Sequence, residues 1–314
     1  MKAFIIGTGR CGSTMLAQIL NSHSMVCVPF ELQILFEYSN NGARLYEIFK
    51  EGKNEDFGAQ DFIDLIESRC PHKFYEYFDY KSFFEQQKYP ILSLKELVNN
   101  LFSKIAESKQ KKIFIEQTPW YGQRIDILNE LLPDAKYIHM VRDGRDVAIS
   151  YARTPWWHDD IGQNLERWHV EVSQIIASSK QVLNPNQMLQ VRYEDFVEQP
   201  EIELRHICDF LEINFEKNML DPTSHIDYVA YSKLNTENIF SSAQNEWSNN
   251  KDVPIFKGSR YAWKNHPDFD FSKIPEHILK NLRSLGYETK NTPFDTLMAI
   301  FSLKRFRKES PPHI

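Results

Sequence analysis

Apolar runs of strand length alternate with amphipathic stretches along residues 2–211. Lys2 to Ile6 predicts a strand, Gly7–Gly12 breaks it, and Ser13 to Leu20 then places Met15, Leu16, Ile19 and Leu20 on one helical face. Met25–Val28 reads as a second short strand. Lys112–Glu116 is the next, followed by the turn QTPWYG and a helix over Gln123–Leu132. Lys136–Val141 is a further strand, after which RDGRD opens a helix running through Ala152. A long helix falls within Trp156–Val182, a strand at Met188–Tyr193 and a helix at Pro200–Leu211.

Strand followed by helix, repeated in this way, predicts an α/β fold of three layers: a mainly parallel sheet flanked by helices on both faces. Ligands in such sheets bind beyond the carboxyl ends of the strands. That rule singles out Gly7–Thr14, Glu116–Trp120, Arg142–Ser150 and Arg192–Asp195. No repeat or clean linker divides the chain, so residues 1–290 are expected to form one domain and 291–314 a tail or last helix. Residues 30–108 interrupt the alternation as a helical and aromatic insertion. Its densest aromatic stretch, His72–Phe84, is expected to form a satellite hydrophobic cluster, with a lid or a ligand-site wall as the alternative. Residues 221–272 have the least regular pattern.

The 314 residues are 42% hydrophobic and 25% charged, ordinary for a soluble globular protein. A formal net charge of -6 argues against a general nucleic-acid binder, which needs basic surface to neutralise phosphates, but leaves room for a local basic pocket. The apolar opening Ala3–Ile6 is far shorter than a signal-peptide core, and no stretch approaches the roughly 20 apolar residues of a membrane span. The cytoplasm is the expected compartment. Cys11, Cys27, Cys70 and Cys208 are scattered without metal-ligand spacing and read as free thiols. Cys11 lies in the first loop, a position compatible with solvent access, though nothing marks it as a nucleophile.

Two segments carry the chemistry. GTGRCGST joins a predicted strand to a predicted helix, the setting of a phosphate cradle. Gly7, Gly9 and Gly12 allow close backbone approach, backbone N–H groups and the helix dipole favour an anion, and Arg10, Ser13 and Thr14 add donors. This is not a Walker A loop, because Ser13 stands where that motif has lysine. Nor is it a full dinucleotide fingerprint, because Glu31 follows Pro29 and Phe30 rather than closing a simple second strand. In MVRDGRDVAIS, Met140–Ser150, Arg142 at the strand end and Ser150 roughly two helical turns on can reach one phosphate. Asp143 and Asp146 suit capping and the helix dipole, and Arg145 a surface or salt-bridge position. Anion sites at two neighbouring strand ends imply a ligand with phosphates at both ends.

GTGRCGSTML resembles the 5′-phosphosulfate loop of the sulfotransferases that use 3′-phosphoadenosine-5′-phosphosulfate (PAPS). MVRDGRDVAIS resembles their 3′-phosphate segment, whose arginine and serine are separated as Arg142 and Ser150 are here. VRYEDF at Val191–Phe196 is similar to a recurrent strand-end segment of the family. FKGSRYAW at Phe256–Trp263 is a looser match to the late loop that closes over the nucleotide, and LGY at Leu285–Tyr287 to the usual ending. The resemblance implies a P-loop NTPase-like sulfotransferase fold, PAPS as donor, PAP as product and no metal in the transfer. It implies that Gly9, Arg10, Cys11, Gly12, Ser13 and Thr14 hold the 5′-phosphosulfate side and Arg142 and Ser150 the 3′-phosphate. Tyr193, Lys257, Gly258 and Arg260 would complete the nucleotide pocket. Arg10 stands where many cytosolic members carry lysine. In this it is similar to the Golgi protein-tyrosine sulfotransferases and several bacterial members, which points away from the phenol and steroid branch.

Sulfuryl transfer needs an in-line acceptor, charge stabilisation and a base for the acceptor's proton. Arg10 can neutralise charge on the bridging oxygen. Glu116, in IEQTPWYG, resembles the catalytic glutamate of the heparan N-sulfotransferase branch, with Gln117 in place of that branch's lysine. Glu31, in VPFEL, lies where the tyrosine sulfotransferases place their base relative to the first loop. Glu116 is the first choice of base, Glu31 the second and His158 the third. His139 and His23 read as structural, and no triad or metal-ligand cluster is legible. The expected acceptor is a hydroxyl, or an amine, of a carbohydrate or small metabolite, met by the 30–108 insertion with Trp120, Tyr121, Trp156 and Trp157. Peptidyl tyrosine is the alternative acceptor. A P-loop nucleotide kinase and a noncatalytic nucleotide-binding module are the rival functions, and no oligomeric state is legible.

Overall fold

The computed structural model describes residues 1–29, 31–35, 59–69, 77–86, 93–154, 157–221, 260–267 and 270–289. Among these, β1 (Lys2–Gly7), β2 (Val26–Cys27), β3 (Ile113–Glu116), β4 (Lys136–Val141) and β5 (Met188–Arg192) form one sheet in the order β2-β3-β1-β4-β5. Every neighbouring pair is parallel. β1 and β4 are buried at every position after the first, which is why both read as continuous apolar runs rather than as alternating patterns.

Helices cover both faces. They are α1 (Ser13–Asn21), α2 (Ala59–Arg69), α3 (Tyr80–Gln86), α4 (Leu94–Ser108), α5 (Ile125–Leu131), α6 (Gly144–Ala152), α7 (Ile161–Val182), α8 (Tyr193–Glu198), α9 (Pro200–Phe210) and α10 (Glu276–Ser284). The two-residue period of a strand sends successive side chains to opposite layers. Phe4, Ile6 and Tyr137 share a core with Phe62 of α2, Phe102 of α4 and Leu128 of α5. Ala3, Ile5, Ile138 and Met140 share the other with Leu16 and Ile19 of α1 and Leu204 of α9. A third core joins α6, α7 and α10 around Trp168.

Several predicted limits shift for local reasons. Pro119–Arg124 is a 3₁₀ turn opened by proline, so the helix expected from Gln123 begins at Ile125. The long helix lies within the expected Trp156–Val182 and starts at Ile161, where the Asp160 carboxylate caps it by accepting from the Gln163 amide at 2.9 Å. Of the aromatic stretch 72–84, residues 72–76 lie outside the described residues. Tyr80 and Phe84 are fully buried, and Phe84 meets Phe62 edge-on at 5.1 Å, as a hydrophobic cluster does.

From β1 the chain moves to β2 on one side of the sheet, whereas from β4 it moves to β5 on the other. Opposite departures open a crevice above the carboxyl ends of these two adjacent strands. Both predicted phosphate segments begin there.

Candidate functional site

The loop from β1 to α1 turns through two left-handed residues, Arg10 (φ 63°) and Gly12 (φ 96°). Glycine at 12 is required twice over: by that backbone angle, and because a Cβ would come within 2.6 Å of the Tyr193 ring. A Cβ on Gly9 would overlap the Tyr151 hydroxyl. Gly12 is the N-cap of α1, and no side chain caps it. The positive end of the helix, with Ser13 and Thr14 in its first turn, therefore meets the crevice through main chain. Cys11 departs from its expected solvent access. Its side chain is fully buried in the core shared with Met15 and Met140, and burial pushes its thiol up to about 11.

The second segment reaches the same place. Arg142, just past β4, donates from Nη1 to the Arg10 carbonyl at 3.0 Å and lays its guanidinium 4.5 Å from the Tyr193 ring centre. Arg10 donates from Nε to Ser150 Oγ at 3.0 Å. Arg10, Arg142, Ser150 and Tyr193 thus converge on one crevice, with Gly12 packed on Tyr193. Arg260 pairs with Glu198. Lys257 and Gly258 lie outside the described residues.

The start of α6 holds its own charges. Asp143 accepts from the Arg145 amide at 3.0 Å, as a cap should. Arg145 takes the salt-bridge position and is buried: Nε and Nη2 reach the two Asp143 carboxylate oxygens at 2.8 and 2.7 Å, and the guanidinium lies 3.6 Å from the Trp263 ring centre. Asp146 does more than favour the dipole. Its carboxylate accepts the amides of Tyr261 at 2.7 Å and Trp263 at 2.9 Å, tying the late segment to α6. Burial, with Asp143 adding, pushes Asp146 up to about 6. Glu194 accepts from the Asp143 amide at 3.0 Å and from the Tyr287 hydroxyl at 2.9 Å, and burial raises it to about 7. Sequence reasoning passed over Glu194, although it lies inside the VRYEDF segment.

On the β3 side, Glu116 is 0% exposed. Its Oε1 accepts from Thr118 Oγ1 at 2.8 Å and from the Leu32 amide at 3.1 Å. Gln117, also buried, donates from Nε2 to Ser13 Oγ at 3.2 Å and to Glu31 Oε1 at 3.4 Å. Glu31 is half-buried, and its Oε2 accepts from Gln33 Nε2 at 2.9 Å. His158 is exposed. His139 is buried in β4 with no hydrogen-bond partner on either ring nitrogen, and burial pulls it down to about 4. His23 closes a turn: Nε2 lies 2.9 Å from the Asn214 carbonyl, and Nδ1 accepts the Met25 amide at 3.0 Å. Cys11, Cys27 and Cys208 are free thiols, and Cys70 lies outside the described residues. Among the described residues no group of three His, Cys, Asp or Glu side chains is placed to hold a metal ion, and no helix is long and apolar enough to cross a membrane.

This arrangement can take an anion on main-chain donors at α1 and a second on the side chains of Arg142 and Ser150. Comparison with known proteins gives the family. The profile described as "Sulfotransferase family" matches residues 3–217. Protein-tyrosine sulfotransferase A of Caenorhabditis elegans is 24% identical over 209 residues, covering 63% of this chain and 52% of that protein. The chain thus spans about half the length of that curated relative. The sulfotransferase domain from the Synechococcus PCC 7002 olefin synthase superposes with a TM-score of 0.62 at 24% identity, covering 92% of this chain and 95% of that one. The sulfotransferase domain from the curacin biosynthetic pathway gives 0.58 at 22% identity, covering 92% and 98%. Both share the fold described above.

Proposed function

The chain belongs to the sulfotransferase family, and from that premise we propose that it moves a sulfuryl group from PAPS to an acceptor hydroxyl and releases PAP. The observation that carries this reading is the bridge across the β1–β4 crevice, in which Arg10 donates to Ser150 and Arg142 donates to the Arg10 carbonyl. It joins the two phosphate segments as a nucleotide with phosphates at both ends requires. On this reading Gly9, Gly12, Ser13, Thr14 and Arg10 take the 5′-phosphosulfate, Cys11 contributing main chain alone. Arg142 and Ser150 take the 3′-phosphate, with Tyr193 behind them and Lys257, Gly258 and Arg260 completing the pocket. Ser150 can serve both sides, because a hydroxyl accepts from Arg10 while donating its own proton to a phosphate oxygen.

In the transfer, the acceptor oxygen bonds to sulfur and the bond from sulfur to the 5′-phosphate oxygen breaks. Its electron pair leaves on PAP, where Arg10 offsets the charge. The acceptor's proton passes to a carboxylate. Of the two candidates, burial supports Glu31: it is half-exposed and one amide away from Ser13, whereas Glu116 is enclosed. No step calls for a metal. The acceptor belongs to a carbohydrate or another small metabolite. The nematode relative's name, together with Arg10 and Glu31, supports peptidyl tyrosine as a second reading.

Isothermal titration in EDTA tests the donor: PAP should bind, in preference to AMP. ATP binding as well as or better than PAP, with no preference for a 3′-phosphate, would favour the nucleotide kinase instead. Incubation with PAPS and a panel of sugars, phenols, alcohols and a tyrosyl peptide should release PAP with one of them, which decides the acceptor class. PAP binding without release across the panel would point to a noncatalytic module.

A further inference from the structure

We propose that Glu116 and Gln117 are positioning residues that aim the Glu31 carboxylate at the first loop, so that the two glutamates have successive rather than rival roles. This rests on the transfer reaction proposed above.

The segment 31–35 leaves the sheet after β2 and has no regular structure of its own. Its buried amides need acceptors from elsewhere. The end of β3 supplies them: the Leu32 amide donates to Glu116 Oε1 at 3.1 Å, and the Leu35 amide donates to the Tyr121 hydroxyl at 2.8 Å. Thr118 Oγ1 holds the same Glu116 oxygen at 2.8 Å and so fixes its direction. Leu32, Ile34 and Leu35, all fully buried, keep the segment pressed on the core. The hydrogen bond at Leu32 orients the peptide plane immediately after Glu31, and with it the Cα–Cβ bond of Glu31.

Gln117 then acts on the Glu31 side chain itself. One Nε2 group spans Ser13 Oγ at 3.2 Å and Glu31 Oε1 at 3.4 Å. A neutral amide suits this position. It can bridge a hydroxyl and a carboxylate without the positive charge of a lysine, which would lower the carboxylate's affinity for a proton. Glu116 contributes acceptor oxygen and Gln117 contributes N–H donors, and neither has to exchange a proton.

Amide replacements separate the roles. Glu116→Gln keeps a carbonyl oxygen for Leu32 and Thr118 but cannot take a proton, and Glu116→Ala loses both functions. With PAPS and whichever panel acceptor supports PAP release, Glu116→Gln should keep kcat within about threefold of wild type. Glu116→Ala should lower kcat roughly 10- to 100-fold at unchanged PAP affinity, still showing the acid limb of the kcat–pH profile. Glu31→Gln should lose about 10²–10⁴-fold together with that limb. Gln117→Met, similar in size but without donors, should lower kcat and leave PAP affinity within a few-fold. Hydrogen exchange at the Leu32 amide should stay slow in Glu116→Gln and become fast in Glu116→Ala. If Glu116→Gln, folded by circular dichroism, were as inactive as Glu116→Ala, or abolished the acid limb, Glu116 would be the base and the proposal wrong. Wild-type turnover in both Glu116→Ala and Gln117→Met would also overturn it. Should Glu116→Ala not fold, Glu116→Gln and Gln117→Met decide alone. Failure of the wild type to bind PAP is a different result, and it removes the transfer reading itself.

Discussion

α1 begins at Gly12, which has no side chain to cap the helix, whereas α6 begins at Asp143, whose carboxylate already accepts the Arg145 amide and guanidinium. Both helices start at the same crevice, from adjacent strands. On the proposed reading the end of α1 takes the ligand's anion on main-chain donors whose positions the loop backbone sets. At α6 the protein's own anion, Asp143, occupies the helix end, so the proposed 3′-phosphate contacts fall to the side chains of Arg142 and Ser150. Main-chain donors hold a group in one place, as an in-line reaction needs. Side-chain donors, which a single substitution removes, can distinguish nucleotides that differ by one phosphate.

The largest effect should come from the side-chain end. Arg142→Ala should weaken PAP by about 2–4 kcal/mol, roughly 30- to 1000-fold, because a charge-assisted contact is lost. AMP, without the 3′-phosphate, should be little affected. Equal losses for both nucleotides in titration calorimetry would erase the proposed division of labour.

A pH signature follows from the charges kept inside. Asp146 is raised to about 6, above its ordinary value of 3.8, so the folded state binds its proton first. Its contribution is fully present below about 4 and is lost as pH rises through 6. Relative to Asp146→Asn, the wild type should gain on the order of 3 kcal/mol as pH falls from 7 to 4. His139 has the opposite sign. It is lowered from 6.5 to about 4, so its contribution is present above 6.5 and lost as pH falls toward 4. Relative to His139→Leu, the wild type should lose on the order of 3 kcal/mol over that window. Denaturant melts of each pair across pH 4–7 read both slopes. Flat differences would mean that neither group is buried as described.

A smaller change tests the main-chain end. Gly12→Ala must hold a side chain at φ 96° against the Tyr193 ring, at a cost of about 1–2 kcal/mol in stability. It should weaken PAP and AMP by the same factor, since both use the 5′ cradle. A selective loss of PAP would place the 3′-phosphate at α1 instead. Ser150→Ala should cost least, ~1 kcal/mol or about fivefold for PAP, with a smaller loss for AMP through Arg10.

Features whose partners lie a few residues away were legible in the chain. β4 and α6 fall at the predicted positions, because a buried central strand is apolar throughout and Asp143 caps its own helix two residues on. The glycines mark the first loop in part because a left-handed φ, as at Gly12, is a demand on that residue's own backbone. Other assignments changed with their surroundings. The loop position of Cys11 suggests solvent access, but the core beneath buries it; of the two positions open to Arg145, surface or salt bridge, the packing of Asp143 and Trp263 around it selects the buried salt bridge.

The alternation of strands and helices, and the two glycine- and arginine-bearing segments proposed to bind phosphates, can be read from the chain alone. Which distant residues meet depends on how the sheet and helices pack. Strand order brings Arg10 to Ser150, β3 beside β1 brings Gln117 to Ser13 and Glu31, and the late segment returns to Asp146. The difference is one of range. Propensity, capping and periodicity act within one or two turns, whereas these contacts depend on which apolar faces pack together, and that follows from the burial of the whole sheet.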